Sequence, residues 1–133
     1  IIIDLGTATT IELISPEGMF EGAIIAPGIK IGAESLFSKA AKLYEIELVS
    51  PTALLGLNTT EAMLSGIIYG HSFMLDTFIA KIKEQYSQLK PFQTILTGGM
   101  SSLIKPYLSE INTIDKGLTL DGFYLALGKI LNQ

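Results

Sequence analysis

The sequence of 133 residues contains no cysteine and no arginine, and its only histidine is His71. Without cysteine the chain can form no disulfide, bind no metal through thiolates and offer no cysteine nucleophile. Without arginine it has no guanidinium group with which to clamp a phosphate or a carboxylate. His71 lies in a predicted helix with no potential partner ligands beside it, so we interpret it as a packed or surface residue.

Positive charge is scarce and scattered, since nine lysines stand against 13 acidic residues and the net charge is −4. No basic stripe is present that would release counterions from a nucleic acid. No apolar run reaches the ~18–20 residues of a membrane span, and no basic segment typical of a secretory signal is visible. These absences predict a cytoplasmic protein that binds neither nucleic acid nor a membrane.

Apolar residues, by contrast, are abundant: 48% of the chain is hydrophobic, only 17% is charged, and the mean hydropathy is +0.46. A soluble surface of this size ordinarily carries more charge. The sequence also opens on Ile1-Ile2-Ile3, a run typical of a buried central strand. We therefore expect residues 1–133 to form a single lobe of a larger protein, with apolar surface covered by a second domain or subunit.

Turn residues and apolar periodicity predict an α/β lobe with helices packed on the sheet and the element order βββαα-βα-βα. The first three strands are joined by tight turns and should form an antiparallel meander, which parallel strands extend. The predicted elements are strands over residues 1–3, 9–15 and 20–26, helices over 29–43 and 58–86, a strand over 93–97, a short helix to 108, a strand over 112–115 and a helix over 120–131.

The long predicted helix carries two glycines, Gly66 and Gly70, one turn apart. Each costs roughly 1 kcal/mol relative to alanine in a helix, so we expect a compensating close contact with another helix or strand. The residues expected to face inward from this helix are Met63, Ile67, Phe73, Met74, Phe78 and Ile82.

A polar turn follows the first strand, where Asp4 leads into Gly6, Thr7 and Thr9. Backbone N–H groups and hydroxyls exposed together in such a turn are suited to binding phosphate oxygens. Asp4, at the strand end, is placed to hold a cation or orient a water. The alternative is an ordinary tight turn in which the threonines satisfy local backbone groups. Asp4 and Glu12 acting as a carboxylate pair is a further, weaker interpretation.

A second such turn, Thr97-Gly98-Gly99, joins a predicted strand to a helix. Paired glycines there allow the backbone to approach a flat ligand or a phosphate closely. The alternative is a plain strand-to-helix turn with glycine at positive φ.

Together the two turns resemble those of the acetate kinase, sugar kinase, Hsp70 and actin superfamily, and the whole chain resembles the C-terminal half of a type III pantothenate kinase. The matching segments are Asp4-Leu5-Gly6-Thr7-Ala8-Thr9-Thr10, Gly22-Ala23-Ile24-Ile25-Ala26-Pro27-Gly28, Ala41-Lys42-Leu43, Gly56-Leu57-Asn58-Thr59-Thr60-Glu61-Ala62-Met63 with Ser65-Gly66, Thr97-Gly98-Gly99 and Leu118-Thr119-Leu120-Asp121-Gly122. The resemblance implies an actin-like ATPase lobe of the ribonuclease H-like type.

The resemblance also implies roles for particular residues. Asp4 matches a ligand of an activating monovalent cation, K⁺ or NH₄⁺. Thr7 matches an ATP-binding position, and the hairpin around it, with Gly6 and Thr9, would hold phosphate. Thr59 matches a position that contacts pantothenate near a homodimer interface on the helical face. The remaining matches, Gly98 and Gly99, lie in the turn near the adenosine. ATP would be accompanied by Mg²⁺, and the reaction would be phosphorylation of pantothenate to 4′-phosphopantothenate, the first step of coenzyme A synthesis.

Part of the family's machinery is missing from this sequence. Neither the first phosphate loop nor the segment with the catalytic aspartate and the substrate-binding arginine occurs, so we expect no catalytic residue in this chain and an N-terminal lobe that supplies them. Two alternatives are a non-catalytic regulatory or binding protein of the Bvg accessory factor type and another sugar or acid kinase of the superfamily.

Overall fold

The computed structural model describes residues 1–131, which form five strands, four α-helices and two single 3₁₀ turns. The elements are β1 (Ile2–Leu5), β2 (Ala8–Ile14), β3 (Phe20–Pro27), α1 (Ile29–Lys39), α2 (Thr59–Gln85), β4 (Ile95–Thr97), α3 (Ser101–Ile104), β5 (Thr113–Ile114) and α4 (Leu118–Leu131), with 3₁₀ turns at Ser87–Leu89 and Lys105–Tyr107. This order is the predicted one.

All five strands belong to one sheet, in the order β3-β2-β1-β4-β5. The tight turns after β1 and β2 make the first three strands an antiparallel meander, and β4 and β5 add to its other side in parallel. The helical crossover from β3 to β4 is long enough to return the chain for parallel pairing. The predicted fold class, an antiparallel meander extended by parallel strands, is therefore confirmed.

The hydrophobic core lies between one face of the sheet and α2. Side chains alternate along β1 and β2, so that Ile3, Leu5 and Ile11 point inward while their neighbours are half-buried. Against them pack Ile68 and Leu75 of α2, both fully buried. Burying side chains of this size contributes about 1.5–3 kcal/mol each, so this contact fixes α2 on the sheet.

The face that α2 buries differs from the expected one. The fully buried side chains include Ile68, Leu75 and Ile79, whereas Phe73 is 52% exposed and stacks on Tyr69 with ring centroids 5.8 Å apart. The prediction that Phe73 faces inward is wrong. Apolar residues occur on several sides of α2, so periodicity alone could not select the side that meets the sheet.

The glycines of α2 also differ from expectation. A Cβ built on Gly66 or on Gly70 would meet no atom within 4 Å. The expected close contact with another helix or strand is therefore not formed among residues 1–131. Both glycines instead border an open cleft between α1 and α2.

The helix α1 ends at Lys39, four residues before the predicted end. Ala40 is extended, with φ −99° and ψ 110°, and its N–H still bonds to the Leu36 carbonyl. Leu43, which continued the helical periodicity, borders the cleft from the following irregular segment.

One face of α4 carries six large apolar side chains that are 53% to 78% exposed. Their spacing places them on one side of the helix, and we call them the α4 stripe: Leu120, Phe123, Tyr124, Leu127, Ile130 and Leu131. None of the residues of α4 is buried. Within residues 1–131, no helix combines the length and apolarity needed to cross a bilayer.

Candidate active site

The turn between β1 and β2 is held tightly, with the Gly6 N–H donating to the Ala8 carbonyl at 3.1 Å. Thr7 is exposed at its tip. The start of α1 lies directly against this turn. A Cβ on Gly28 would lie 2.1 Å from the Thr7 carbonyl oxygen and 2.7 Å from that of Gly6. Only glycine fits at position 28, and α1 therefore begins directly beside the hairpin.

The Gly-Gly turn closes on the same end of β1. Parallel pairing sets Asp4 opposite Thr97, and the Met100 N–H donates to the Leu5 carbonyl at 3.3 Å. Gly98 has φ +90°, and a Cβ there would lie 2.5 Å from both Asp4 Oδ1 and the Leu5 nitrogen. The two turns that the sequence placed about ninety residues apart thus meet around Asp4.

The Asp4 carboxylate is half-buried, and no hydrogen bond or ion pair to it forms within residues 1–131. No three histidine, cysteine, aspartate or glutamate residues of that range lie together as a metal-binding group. A single carboxylate offers fewer charged ligands than proteins usually provide for a divalent ion such as Ca²⁺. Glu12 lies diagonal to Asp4 across β1 and β2, a position at which the backbone spacing is roughly 7–8 Å, and no hydrogen bond joins the two carboxyl groups in the described structure.

A cleft of about 440 Å³ opens beside these turns, and we call it the nucleotide-side cleft because the sequence predicts ATP binding at the residues that line it. Its lining includes Gly6 and Thr7 from the hairpin and Gly99 from the second turn. The structure therefore brings three of the predicted ATP-binding residues to one place. Gly98 lies beneath them, against β1.

Thr9 is not brought into this cleft. Its side chain is 1% exposed and faces α2, where Thr9 Oγ1 lies 2.9 Å from His71 Nε2. Side chains alternate between the two faces of β2, and Ile11 and Leu13 point inward. This alternation predicts that Thr9 points inward as well. The placement speaks against a direct contact between the Thr9 hydroxyl and a nucleotide.

A second and larger cleft, about 880 Å³, lies between α1, α2 and the end of β3, and we call it the wide cleft. Thr59, the predicted pantothenate contact, lies at its margin. Most of the lining is apolar, including Met63, Ile67 and Met74, with His71 among the few polar residues. A volume and lining of this kind are typical of small-molecule sites.

Thr59 owes its position to a well-formed helix cap. Asn58 Oδ1 accepts the Glu61 N–H at 3.0 Å, and Glu61 Oε2 accepts the Leu57 N–H at 3.0 Å. This reciprocal arrangement satisfies donors that a helix start leaves unpaired. Thr59 is therefore presented from the first position of a rigid helix.

His71 is a residue of α2, and its side chain packs toward the sheet, as expected. It also borders the wide cleft. Partial burial lowers the pKa of its imidazole below the ordinary value of 6.5. The imidazole is therefore neutral near pH 7. Its bond to Thr9 ties the hairpin's second strand to the helix that carries Thr59.

Two further residues escaped the sequence reasoning: Lys30 and Glu34 of α1 also line the nucleotide-side cleft. Helical spacing puts them on one face, but nothing in the sequence says that this face meets the hairpin.

The two clefts are neighbours separated by α1. Ile31 lines the nucleotide-side cleft, and Ile29 and Gly32 line the wide one. Gly28 borders the wide cleft while touching Thr7, which borders the other. The linings of the two clefts are therefore adjacent where Gly28 meets the backbone of Thr7.

A mixed sheet of this order, with a hairpin and a Gly-Gly turn meeting at the end of its central strand, is consistent with the actin-like fold. The family model for type III pantothenate kinases matches residues 1–81. A type III pantothenate kinase from Syntrophus aciditrophicus (strain SB) is 41% identical over 125 residues, or 94% of this chain. The chain belongs to the type III pantothenate kinase family.

The alignment covers 48% of the Syntrophus protein, so the chain spans about half the length of that curated relative. Among solved structures, a protein described as a Baf family transcriptional activator from Campylobacter jejuni superposes with a TM-score of 0.64. That match covers 99% of this chain and 58% of the other at 23% identity, and it establishes the fold alone.

Proposed function

We propose that the full-length protein transfers the γ-phosphoryl group of ATP to pantothenate, giving 4′-phosphopantothenate and ADP at the start of coenzyme A synthesis. The observation that supports this function best is the contact between Gly28 and Thr7, where the two clefts approach each other. A phosphoryl donor in one cleft and a hydroxyl acceptor in the other would meet at the hairpin tip. An enzyme of this kind is expected in the cytoplasm.

ATP is assigned to the nucleotide-side cleft. The exposed hydroxyl of Thr7 would donate to phosphate oxygens beside Gly6, and Gly99, which lines the cleft, leaves room for the adenosine. Mg²⁺ would accompany the phosphates and neutralise their charge. A monovalent cation, K⁺ or NH₄⁺, is assigned to the free carboxylate of Asp4.

Pantothenate is assigned to the wide cleft. The molecule carries two methyl groups on its hydroxylated end and an amide further along, which match the mainly apolar walls and the hydroxyl of Thr59. Its carboxylate needs a cationic partner, and this chain has no arginine to offer. The arginine is expected on the other lobe.

In the proposed reaction the pantothenate hydroxyl oxygen bonds to the γ-phosphorus as the bond to the β–γ bridging oxygen breaks. ADP leaves, and the hydroxyl proton passes to a base that we expect on the N-terminal lobe. Catalysis of such a transfer rests mainly on positioning and charge stabilisation. This chain would contribute alignment of the two substrates but no catalytic side chain, so it should be inactive alone.

The α4 stripe supports a second lobe. Six exposed apolar side chains on one helix face are costly in water, and the Syntrophus relative is about twice as long as the aligned segment. We propose that residues 1–133 are the C-terminal lobe and that the α4 stripe packs on the N-terminal lobe.

We also propose a homodimer through the helical face of α2. Ala62, Gly66 and Gly70 recur every four residues and form a strip of small residues along the wide cleft. No atom of residues 1–131 lies within 4 Å of a Cβ built on Gly66 or Gly70. A second copy of the chain packed there would explain why both residues are glycine.

The test is ADP release by the full-length protein with MgATP, measured with and without pantothenate, in potassium and then in sodium. Pantothenate-dependent release stimulated by potassium is the expected result. A folded protein that binds ATP but gives no pantothenate-dependent release would contradict the proposal and favour a non-catalytic accessory-factor role.

A further inference from the structure

The first turn of α1 forms one wall of the nucleotide-side cleft. Lys30, Ile31 and Glu34 line it opposite the hairpin residues Gly6 and Thr7. Lys30 is exposed and is the only cationic side chain among the described residues that line this cleft.

The charge of Lys30 is not neutralised within the described part of the chain. No carboxylate there lies within 4.0 Å of its ammonium group, although Glu34 is one helical turn away. Lys30 also borders the next depression along α1, together with Glu34, Glu45 and Glu47, and no ion pair joins it to any of these carboxylates within the described part of the chain. A positive charge is thus available beside a hairpin suited to phosphate.

A lysine at position 30 also lowers the stability of α1. Lys30 is the second residue of α1, and the first turn contains no acidic residue. The positive end of a helix repels a cation, at a cost of about 0.3–1 kcal/mol. A residue that breaks a local rule is often one that serves a site, and a bound polyanion would reverse the sign of this interaction.

We propose that Lys30 binds the polyphosphate of ATP in the nucleotide-side cleft, where no other described lining residue carries a positive charge. The inference rests on the proposed use of ATP, and it adds a residue that neither the motifs nor their spacing indicated. Lysine suits the task as a point charge on a flexible stem, which can follow the phosphates during transfer.

The experiment measures binding of ATP and of adenosine to the full-length protein by titration calorimetry, without turnover. K30M and K30Q remove the charge, K30R keeps it, and K39M makes the same change in the last turn of the same helix, outside both clefts. Thermal unfolding of each variant checks the fold.

We expect K30M and K30Q to weaken ATP binding about tenfold and to flatten its dependence on potassium chloride concentration, while adenosine affinity changes less than about twofold. K30R and K39M should resemble the wild type. Unchanged ATP affinity in K30M and K30Q, or equal losses for ATP and adenosine, would overturn the assignment. Because the readout is binding, failure of Lys30 is distinguishable from failure of the kinase reaction.

Discussion

The glycines around the hairpin and the glycines of α2 differ in what surrounds them. Gly28, at the start of α1, and Gly98, in the Gly-Gly turn, are required because backbone atoms lie where a Cβ would be. Along the wide cleft, Gly66 and Gly70 face open space. Glycine thus builds a tight backbone cradle in one place and leaves an apolar surface open in the other.

This difference matters for how the clefts would bind. A pair of turns fixed by close backbone contacts is rigid before the ligand arrives, which favours recognition of a phosphate. The wide cleft is lined by side chains of α1 and α2. Its shape therefore depends on what packs along the strip of Ala62, Gly66 and Gly70, whether substrate or a second copy of the chain. The comparison can be tested by adding side chains to glycines of each kind.

Gly98→Ala should have the largest effect. A Cβ at φ +90° would lie 2.5 Å from the Leu5 nitrogen and from Asp4 Oδ1, so we expect a loss of at least about 3 kcal/mol of unfolding free energy. Gly99→Ala is the matched control, since no atom lies within 4 Å of its Cβ position, and should change stability by less than about 1 kcal/mol. Urea unfolding of the full-length protein followed by circular dichroism measures both, and equal losses would refute the tight-cradle interpretation.

Gly70→Leu should break the homodimer without harming the fold. Leucine favours the helix by about 1 kcal/mol over glycine, and no atom of the described chain obstructs it. We expect dimerisation to weaken by about 2 kcal/mol, or roughly 30-fold, in sedimentation experiments on the full-length protein. Gly122→Leu, on α4 opposite the α4 stripe, controls for the same substitution. A dimer unaffected by leucine at position 70 would place the interface elsewhere.

Asp4→Asn should abolish stimulation by potassium, because the substitution removes the free carboxylate where the two turns meet. Ligand charge sets the affinity of oxygen-ligated cations, and we expect no potassium stimulation of ADP release at concentrations that activate the wild type. Glu12→Gln removes the diagonal carboxylate and should keep the potassium response. If Asp4→Asn is still stimulated like the wild type, the cation lies elsewhere.

His71→Gln should have the smallest effect, visible only in its pH dependence. Burial lowers the pKa of His71 in the folded state, so below about pH 6.5 the unfolded chain binds more protons and wild-type stability falls with the pH. Glutamine can still bond to Thr9 but does not titrate. Melting temperatures at pH 8 and pH 5.5 should fall further for the wild type than for the variant. Parallel decreases would contradict this role.

The sequence predicted what local chemistry determines. The tight turns of the meander, the Asn58 cap and the strand leading into Gly98 depend on a few neighbouring residues each. The hairpin and the Gly-Gly turn were expected to share a site, and the parallel pairing of β1 with β4 brings them together.

What escaped prediction depends on contacts between distant segments. The buried face of α2 could not be chosen because Phe73, Met74 and Leu75 are consecutive apolar residues on three sides of the helix. Lys30 and Glu34 lie beside the hairpin because Gly28 allows α1 to start against Thr7. The inward direction of the Thr9 side chain, in contrast, could have been predicted from the alternation of inward and outward residues along β2.

The most direct test of two separate clefts is a pair of hydroxyl deletions in the full-length enzyme, with KM measured for each substrate. Thr7→Val should raise the KM for ATP about tenfold and leave that for pantothenate within twofold, and Thr59→Val should do the reverse, since each removes one hydrogen bond from one cleft. A crossed pattern of this kind is what the two-cleft arrangement predicts. If both variants affect the same substrate, or if neither changes a KM, the assignment of ATP and pantothenate to separate clefts is wrong.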